Sequence, residues 1–292
     1  MRTIITTITP VLSDYEFLDA GDGEKLERYG SYVLRRPDPQ ALWPKTRPDT
    51  LWHTAHGQFI QKERGGSWRR DSSLPERWNI SIGAVHAWIK PTAFKHTGLF
   101  PEHFDNWQFI TDRIASAGRP VSVLNLFGYT GAATIAASCA GAAHVCHVDS
   151  SKSSVLWARE NAELSGLSRE SVRWIVDDAR KFVSREIKRG VTYDAIIMDP
   201  PAFGRGADGE VWNIEDDFIP FLSLCQRVLS PRPLFVVLNG YAAGYSAIAY
   251  GNDLDFMMKP YKGDVEIGEM GISNALNLVL PCGIFARWSA SA

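Results

Sequence analysis

Cysteine is scarce in this 292-residue chain, and its spacing excludes the sites that clustered cysteines build. The four cysteines, Cys139, Cys146, Cys225 and Cys282, form no Cys-x-x-Cys pair. Three of them lie inside apolar runs, so a disulfide framework and a zinc cluster are both disfavoured. We therefore expect the cysteines to be core residues, and we expect no metal site.

Long apolar segments are also missing. No stretch of 18 or more consecutive apolar residues occurs, whereas a helix that crosses a membrane needs about 20. The first ten residues alternate Thr and Ile without a longer apolar centre or a cleavage site, so they do not look like a secretion signal. The sequence predicts a cytoplasmic protein that does not enter a membrane.

A strong charge of either sign is absent, because the formal net charge is −2. Basic residues exceed acidic ones by three in residues 1–95, whereas acidic residues exceed basic ones by five in the rest. Within the first part, cations lie among tryptophans, a mixture that suits contacts to RNA. A solvated loop beside core tryptophans would explain the same pattern. The residues concerned are Lys62, Arg64, Trp68, Arg69, Arg70, Arg77 and Trp78.

The last absence is a dinucleotide fingerprint. An apolar run over 121–127 reads as a buried parallel strand, but it is followed only by Gly128 and Gly131, not by Gly-x-Gly-x-x-Gly. This argues against NAD. About twenty residues on, a second predicted strand ends at Asp149, whose carboxylate is placed to accept both hydroxyls of a ribose. Capping of the helix that begins near Ser151 is the alternative role for Asp149.

Strands and helices alternate after residue 121, which predicts a parallel sheet covered on both faces. Closely spaced turn signals and short β-type runs before it indicate a small β-rich domain. We therefore predict two domains, 1–92 and 93–292, with a glycine-rich, mobile loop at 204–209. The predicted strands cover 121–127, 144–149, 172–176, 193–199, 234–239, 264–270 and 276–286. The predicted helices cover 104–117, 131–140, 151–165, 178–189, 215–229 and 245–257.

Two further strand ends carry acidic residues. One is followed by Asp177 and Asp178, which suit an adenine amine or, equally, the cap of the next helix. The other is followed by Asp199-Pro200-Pro201-Ala202-Phe203, where two prolines stiffen the backbone and remove two N–H donors. Outward carbonyls beside a carboxylate can hold an amine or a base edge, and Phe203 offers a stacking face.

These motifs in succession resemble those of class I S-adenosylmethionine-dependent methyltransferases. More closely, the chain resembles a short branch of the bacterial large-subunit rRNA cytosine-5 methyltransferase I-like family, because residues 18–30 and 95–102 are also similar to segments of that family. The resemblance covers nearly the whole chain and is weakest after Tyr241. It implies an α/β fold in which a Rossmann-like, seven-stranded methyltransferase domain is preceded by a small β-rich N-terminal domain.

The resemblance also implies a role for individual residues. The loop from Phe127 to Gly131 would cradle the methionine part of S-adenosylmethionine, Asp149 would bind ribose, and Asp178 would face adenine. The connector from Lys95 to Gly98 would close over the methyl donor. The acceptor and catalytic residues implied are Asp199, Pro200 and Phe203. The cofactor residues implied are Lys95, Thr97, Asn125, Phe127, Gly128, Tyr129, Thr130, Gly131, Asp149, Ser150, Asp177, Asp178 and Asp199.

One position departs from that family. Cytosine C5 becomes nucleophilic only after a cysteine thiolate adds to the ring, and the family's cytosine enzymes carry this cysteine just after the fifth strand. Here that position is Asn239. The sequence therefore favours a heteroatom of an RNA base, such as an exocyclic amine, as the acceptor. Methylation of a small molecule or a protein amide, and cofactor binding without catalysis, are the alternatives.

Overall fold

The computed structural model describes residues 2–63, 65–206, 209–241 and 244–291. These residues form two compact units. The first consists of Met1–Thr7, Asp105–Met270 and Gly283–Ala292, and the second of Ile8–Phe104 and Gly271–Cys282. The predicted domain boundary between residues 92 and 93 stays a prediction.

The elements are numbered in chain order. The strands are β1 (Arg2–Thr9), β2 (Tyr15–Gly21), β3 (Glu24–Tyr29), β4 (Tyr32–Pro37), β5 (Gly57–Gln61), β6 (Gly66–Arg70), β7 (Trp78–Ile82), β8 (Val85–Ile89), β9 (Ser122–Leu126), β10 (His144–Asp149), β11 (Val172–Val176), β12 (Ala195–Met198), β13 (Phe203–Arg205), β14 (Val211–Asn213), β15 (Phe235–Gly240), β16 (Gly263–Ser273) and β17 (Val279–Ala290). The helices are α1 (Asp49–Trp52), α2 (Phe104–Ala115), α3 (Ala132–Cys139), α4 (Lys152–Leu164), α5 (Ala179–Arg189), α6 (Ile214–Gln226) and α7 (Ala247–Met258), and a short 3-10 helix covers Pro101–His103.

The main sheet has the strand order β1-β16-β17-β15-β12-β9-β10-β11. Its strands β15, β12, β9, β10 and β11 are parallel, and β17 pairs with β15 in the antiparallel direction. The seven predicted strands are all present, so the predicted α/β, Rossmann-like fold is confirmed. An eighth strand, β1, lies at the edge beside β16. Its alternating Thr and Ile fit a strand, but the sequence does not reveal a partner some 260 residues away.

Alternating side chains on the central strands divide the core between the two faces of the sheet. Leu124 and Leu126 of β9 pack with buried residues of α5, α6 and α7. Val123, on the same strand, packs on the opposite face with α2 and α3. This two-sided burial is why the central strands read as continuous apolar runs.

Local sequence signals set the helix ends. Ser151 caps α4 by accepting a hydrogen bond from the Ser154 amide, and Asp178 caps α5 by accepting from the amides of Arg180 and Lys181. Gly190 ends α5 in the left-handed conformation that glycine adopts without strain. The predicted helices after residue 104 are confirmed within a few residues at each end.

A hairpin formed by β13 and β14 was not predicted. Phe203 pairs with Asn213, and Arg205 pairs with Val211. Three-residue strands around a glycine-rich segment give little periodicity, so the sequence indicated a loop. Of the predicted loop at 204–209, Ala207 and Asp208 lie outside the described residues.

The second unit is β-rich, with a five-stranded sheet, β2-β3-β4-β5-β6, and the separate hairpin of β7 and β8.

A cluster of ionic side chains is buried in this second unit. Glu27, which is 1% exposed, is paired with Arg36 and accepts hydrogen bonds from Tyr15 (2.9 Å) and Tyr29 (3.2 Å). Lys25 lies 3.2 Å from Asp38 and 3.8 Å from Glu27. Opposite charges that satisfy one another in this way are how a small domain tolerates buried ions.

Within the described residues, no helix is long and apolar enough to span a membrane.

Candidate cofactor and acceptor site

The loop between β9 and α3 has an unusual backbone. Phe127 and Tyr129 have φ values of 55° and 48°, in the left-handed region that non-glycine residues rarely occupy, and Gly131 has φ 86°. Strain of this kind persists where the surrounding structure fixes the chain, and it is often found at functional sites. The Phe127 ring packs on Trp212, 5.1 Å between ring centroids, so its side chain lies in the core, and the loop presents backbone at the end of β9.

A buried imidazole lies beneath this loop. A Cβ added to Gly128 would lie 2.5 Å from His147 Cε1, so only glycine fits there. His147 Nδ1 is 2.9 Å from the Thr134 hydroxyl, which in turn accepts a hydrogen bond from Asn125 (2.8 Å). Burial lowers the pKa of His147 to about 3, so the imidazole is neutral. Asn125, implied as a cofactor residue, uses its side-chain amide to bind Thr134, and through it His147 under the loop.

Asp149 is bound to the loop from the neighbouring strand. Its Oδ2 accepts a hydrogen bond from the Tyr129 amide and its Oδ1 from the Ser151 amide, both at 2.8 Å. Burial raises the pKa of the Asp149 carboxyl, while these two amides oppose the rise. The cap of α4 is Ser151 and not Asp149, so helix capping does not account for this carboxylate. Ser150, between the two, is half-buried.

The acidic pair after β11 has partners of its own. Asp177 forms an ion pair with Arg185, and its amide donates to the Asp149 carbonyl (3.1 Å). Asp178 accepts from the Arg180 and Lys181 amides at 2.9 Å and 3.1 Å, and its other oxygen pairs with the Arg180 guanidinium. The capping alternative for Asp178 is therefore realised, and its contact with adenine stays a prediction.

The Asp-Pro-Pro turn follows β12 directly. The Trp212 indole donates to the Pro201 carbonyl (2.6 Å), and the Ile214 amide donates to the Ala202 carbonyl (3.0 Å). These two carbonyls therefore do not point outward as the sequence suggested, because β14 and α6 fold back on them. Pro200 is buried, Asp199 is half-buried, and Phe203 remains 57% exposed.

The position of the expected cysteine is occupied by a structural amide. Asn239 is buried near the end of β15, and its Oδ1 accepts a hydrogen bond from Asn106 Nδ2 of α2 (2.8 Å). Arg287 donates to the Asn106 Oδ1 (3.2 Å). Asn239 therefore faces α2, and its side chain is not free to act on an acceptor.

Burial weakens the reactivity of the cysteine thiols. Cys146, Cys225 and Cys282 are buried, as predicted, but Cys139 is exposed at the end of α3, so the expectation of four core cysteines is wrong for that residue. Burial raises the pKa of all four thiols, that of Cys146 to about 11. They are therefore protonated at neutral pH, and a thiol is a weak nucleophile.

Lys95 and Thr97 belong to the second unit, and their roles in cofactor binding stay predictions. The Lys95 carbonyl accepts a hydrogen bond from Arg36 (3.1 Å), and the Thr97 carbonyl accepts from the Lys90 amide (3.0 Å). Thr97 is buried, and its hydroxyl has no hydrogen-bond partner among the described residues. The connector is thus fixed to the ionic cluster through Arg36.

The cations and the tryptophans of residues 62–78 differ in their exposure. Trp78 is buried and donates to the Tyr29 carbonyl (2.9 Å), and Trp68 donates to the Thr92 carbonyl (2.9 Å). Trp78 therefore offers no free stacking face, whereas Trp68 is half-buried and makes an edge-on contact with Phe59, 5.6 Å between ring centroids. Lys62, Arg69, Arg70 and Arg77 are exposed, and Arg64 lies outside the described residues. Trp68, Arg69 and Arg70 lie in strand β6 and not in a loop, and only Trp78 of the two tryptophans is a core residue. Contacts of the exposed cations with phosphates stay a prediction.

Several residues of this region were not found from the sequence. They include His147, Thr134, Trp212 and Tyr250. The signal for His147 was available, since a lone imidazole in an apolar β-run needs a hydrogen-bond partner. Trp212 and Tyr250 follow the motifs by many residues, so only the fold brings them to the strand ends.

The site suits an adenosine-containing cofactor. Glycines allow close approach to the loop backbone at the end of β9. Each Asp149 oxygen uses one lone pair on an amide, which leaves an acceptor site on each for two neighbouring hydroxyls. A Rossmann-like sheet with a short glycine turn and this carboxylate defines a class I S-adenosylmethionine-dependent methyltransferase.

Comparison with known proteins places the chain in a family. The sequence profile of the S-adenosylmethionine-dependent methyltransferases matches residues 57–246, and the chain belongs to this family. It is an enzyme family whose cofactor is S-adenosylmethionine. The "SAM Dependent Methyltransferase" of Agrobacterium tumefaciens is 39% identical, with a TM-score of 0.94 over 99% of this chain and 96% of that one.

More distant relatives share parts of the chain. The ribosomal RNA large subunit methyltransferase K/L of Syntrophotalea carbinolica is 30% identical over 183 residues, 62% of this chain and 25% of that protein. The protein of the same name from Chromohalobacter salexigens is 30% identical over 69% of this chain and 26% of its own length. The chain thus spans about a quarter of these relatives. The crystal structure of SMU.776 complexed with SAH shares the fold, with 20% identity, a TM-score of 0.73, and coverage of 95% of this chain and 76% of that one.

Proposed function

We propose that this protein transfers the methyl group of S-adenosylmethionine to an exocyclic amine of a base in RNA. The observation that carries the proposal is the position of the Asp-Pro-Pro turn. Met198 of β12 pairs with Leu126 of β9, so the turn that begins at Asp199 follows beside the loop that begins at Phe127. An acceptor group and a cofactor loop at adjacent strand ends are what methyl transfer requires.

Each residue of the turn has a definite task in this proposal. The Asp199 carboxylate accepts a hydrogen bond from the amine and stabilises the positive charge that develops on nitrogen as its bond to the methyl carbon forms and the methyl–sulfur bond breaks. The carboxylate then takes the amine proton, which leaves a neutral methylated amine. Pro200 fixes the backbone beside it, and exposed Phe203 provides a face for the base. S-adenosylmethionine, when bound, supplies an electrophilic methyl group on a sulfonium. Orientation alone can contribute roughly 7–11 kcal/mol to such a reaction.

The cofactor contacts belong to the same proposal. The loop from Phe127 to Gly131 holds the methionine part, Asp149 holds the ribose, and Asp178 lies at adenine. Lys95 and Thr97 act from the connector, as the resemblance implies. The loop backbone and Asp149 support this assignment best, because they are joined to each other through the Tyr129 amide.

A nitrogen acceptor is preferred to cytosine C5. The finer resemblance, to the rRNA cytosine-5 methyltransferase I-like family, would require a thiolate beside the base. Asn239 is engaged with Asn106, and burial raises the pKa of the four thiols. These observations support amine methylation within the same fold.

RNA is preferred as the acceptor because relatives over part of the chain are named ribosomal RNA methyltransferases. Arg69 and Arg70 are exposed; Arg69 donates to Gln58 and Arg70 to the Leu74 and Pro75 carbonyls through one guanidinium nitrogen each, and their other N–H groups would contact phosphates. A small-molecule amine is the second candidate, favoured by the net charge of −2 and by the internal hydrogen bonds of Trp68 and Trp78.

The test compares nucleosides from the ribosomal RNA of cells with and without the gene by mass spectrometry. We expect one N-methylated nucleoside to disappear, and we expect the purified protein to restore it with S-adenosylmethionine. Asp199→Ala should remove most of the transfer and keep binding of S-adenosylhomocysteine, because its contact is made to the acceptor.

Replacement of all four cysteines by serine or alanine should leave turnover unchanged in a folded protein. A covalent adduct between a cysteine and 5-fluorocytosine RNA would overturn the nitrogen assignment. Unaltered ribosomal RNA, together with no transfer to it in vitro, would leave the small-molecule candidate.

A further inference from the structure

A phenol from α7 lies at the end of β15. A Cβ built on Gly240, the last residue of that strand, would lie 2.5 Å from the Tyr250 hydroxyl oxygen and 2.5 Å from its Cε1. The hydroxyl is therefore packed against backbone where β15 ends. Because Leu238 pairs with Met198 of β12, this point is at the same edge of the sheet as Asp199, which follows Met198.

The Tyr250 ring is held in one place. It is 2% exposed, and its centroid lies 5.6 Å from that of Phe218 and 6.4 Å from that of Tyr245. The hydroxyl makes no hydrogen bond to another residue within the described part of the chain. A phenol that is fixed in a core usually finds a partner for its O–H. Here the ring is fixed, and none of the described residues takes up its O–H.

Burial, then the negative charge of Asp199, raises the pKa of Tyr250. The phenol keeps its proton at neutral pH and is a hydrogen-bond donor. Asp199, when ionised, only accepts. The edge of the sheet therefore presents one hydrogen-bond donor and one acceptor. An amine alone would need only the acceptor, so the donor indicates a second polar atom on the methyl acceptor.

We propose that Tyr250 is a specificity-determining residue that donates a hydrogen bond to a ring nitrogen of the acceptor base while Asp199 accepts one from the adjacent exocyclic amine. This inference rests on the proposed function. The pair fits a heterocycle in which an amine is attached next to an unprotonated ring nitrogen, as in adenine, cytosine or guanine. It does not fit uracil, which has no exocyclic amine.

The test uses the full chain, S-adenosylmethionine and ribosomal RNA from cells that lack the gene. Tyr250→Phe removes only the hydroxyl, and we expect kcat/KM for RNA to fall by about 10- to 100-fold, the range of a hydrogen bond to a well-positioned group. Binding of S-adenosylhomocysteine and the melting temperature should not change. Tyr245→Phe is the matched control, because its hydroxyl lies 3.5 Å from Glu215 in the same aromatic group, and it should retain full activity.

A second arm distinguishes recognition from packing. RNA is prepared with the deaza analogue of the methylated nucleoside, in which carbon replaces the ring nitrogen beside the amine. On this RNA, wild-type protein should lose activity by the same factor as Tyr250→Phe on normal RNA, and the variant should lose little more. A purely structural role for Tyr250 predicts that the variant is slower than the wild-type protein by the same factor on both RNAs, and that result would overturn the proposal.

The outcomes also separate this inference from the proposed function. Full activity of Tyr250→Phe on RNA that the wild-type protein methylates would refute the role of Tyr250 and keep RNA amine methylation. Failure of the wild-type protein to methylate any of the RNAs would refute both.

Discussion

Replacement of Asp149 by alanine should weaken binding of S-adenosylhomocysteine by about 1.5–3 kcal/mol, the contribution of hydrogen bonds to a charged group. At about 1.4 kcal/mol per tenfold change, this is a loss of roughly 10- to 150-fold in affinity. The reason is that each carboxylate oxygen spends one lone pair on a backbone amide and has another for a ribose hydroxyl. Isothermal titration calorimetry measures the loss directly.

The same substitution also removes the anchor of the Tyr129 amide, so the variant needs a control for general destabilisation. Asp194 is a suitable one. It accepts a hydrogen bond from the Ser122 amide (3.0 Å) and another from the Ser230 hydroxyl (2.8 Å), at the start of β9 instead of its end. Asp194→Ala should lower the melting temperature and leave affinity unchanged.

The pH dependence gives an independent check. Burial raises the pKa of the Asp149 carboxyl, and a protonated carboxyl accepts hydrogen bonds poorly. Affinity should therefore fall as the pH falls through that raised pKa, and the dependence should be missing in Asp149→Ala. Equal affinity of Asp149→Ala and wild-type protein, or an equal loss in Asp194→Ala, would show that Asp149 does not bind the ribose.

Three further predictions concern stability and RNA. Because burial lowers the pKa of His147 to about 3, the unfolded chain binds a proton that the folded chain excludes. The free energy of unfolding should therefore fall by about 1.4 kcal/mol per pH unit as the pH falls from about 6.5 to about 3. His147→Asn should flatten that slope in urea titrations at several pH values, and an unchanged slope would contradict the assignment. If Arg69 and Arg70 contact phosphates, replacing both by alanine should make the salt dependence of RNA binding shallower by about one unit per lost contact, whereas an unchanged slope in filter binding would exclude them. Glu27→Gln leaves the buried Arg36 without its counter-charge and should lower the free energy of unfolding by about 3–5 kcal/mol, and a loss under 1 kcal/mol in chemical denaturation would mean that solvent reaches the cluster.

Periodicity was sufficient to predict the Rossmann-like unit. The central strands are buried on both faces, so their apolar runs are long. Glycine, proline or aspartate follows each run at the carboxyl end of the strand, where the site lies. Gly128, Asp149 and Asp199 were all recognised as strand-end residues because local sequence determines where a strand stops. The class of enzyme followed from the resemblance of these motifs to those of class I S-adenosylmethionine-dependent methyltransferases, and the family match confirms it.

Contacts between distant residues were beyond the sequence. The neighbouring sequence does not show that the Trp212 indole donates to the Pro201 carbonyl, or that Asn239 accepts a hydrogen bond from Asn106. Alternation along β15 puts residue 239 on the face covered by α2, but the position of α2 is a property of the whole fold. The stacking role expected of Trp78 does not fit its buried position for the same reason, since burial of a tryptophan depends on what packs over it.

The contact between Gly128 and the His147 ring makes the two positions interdependent for anyone who redesigns this loop. With a Cβ only 2.5 Å from the imidazole, any larger residue at 128 needs a smaller one at 147, and the smaller one no longer reaches the Thr134 hydroxyl. Scanning either position alone would therefore score both as intolerant. Paired libraries are needed to discover which loop sequences this sheet can carry.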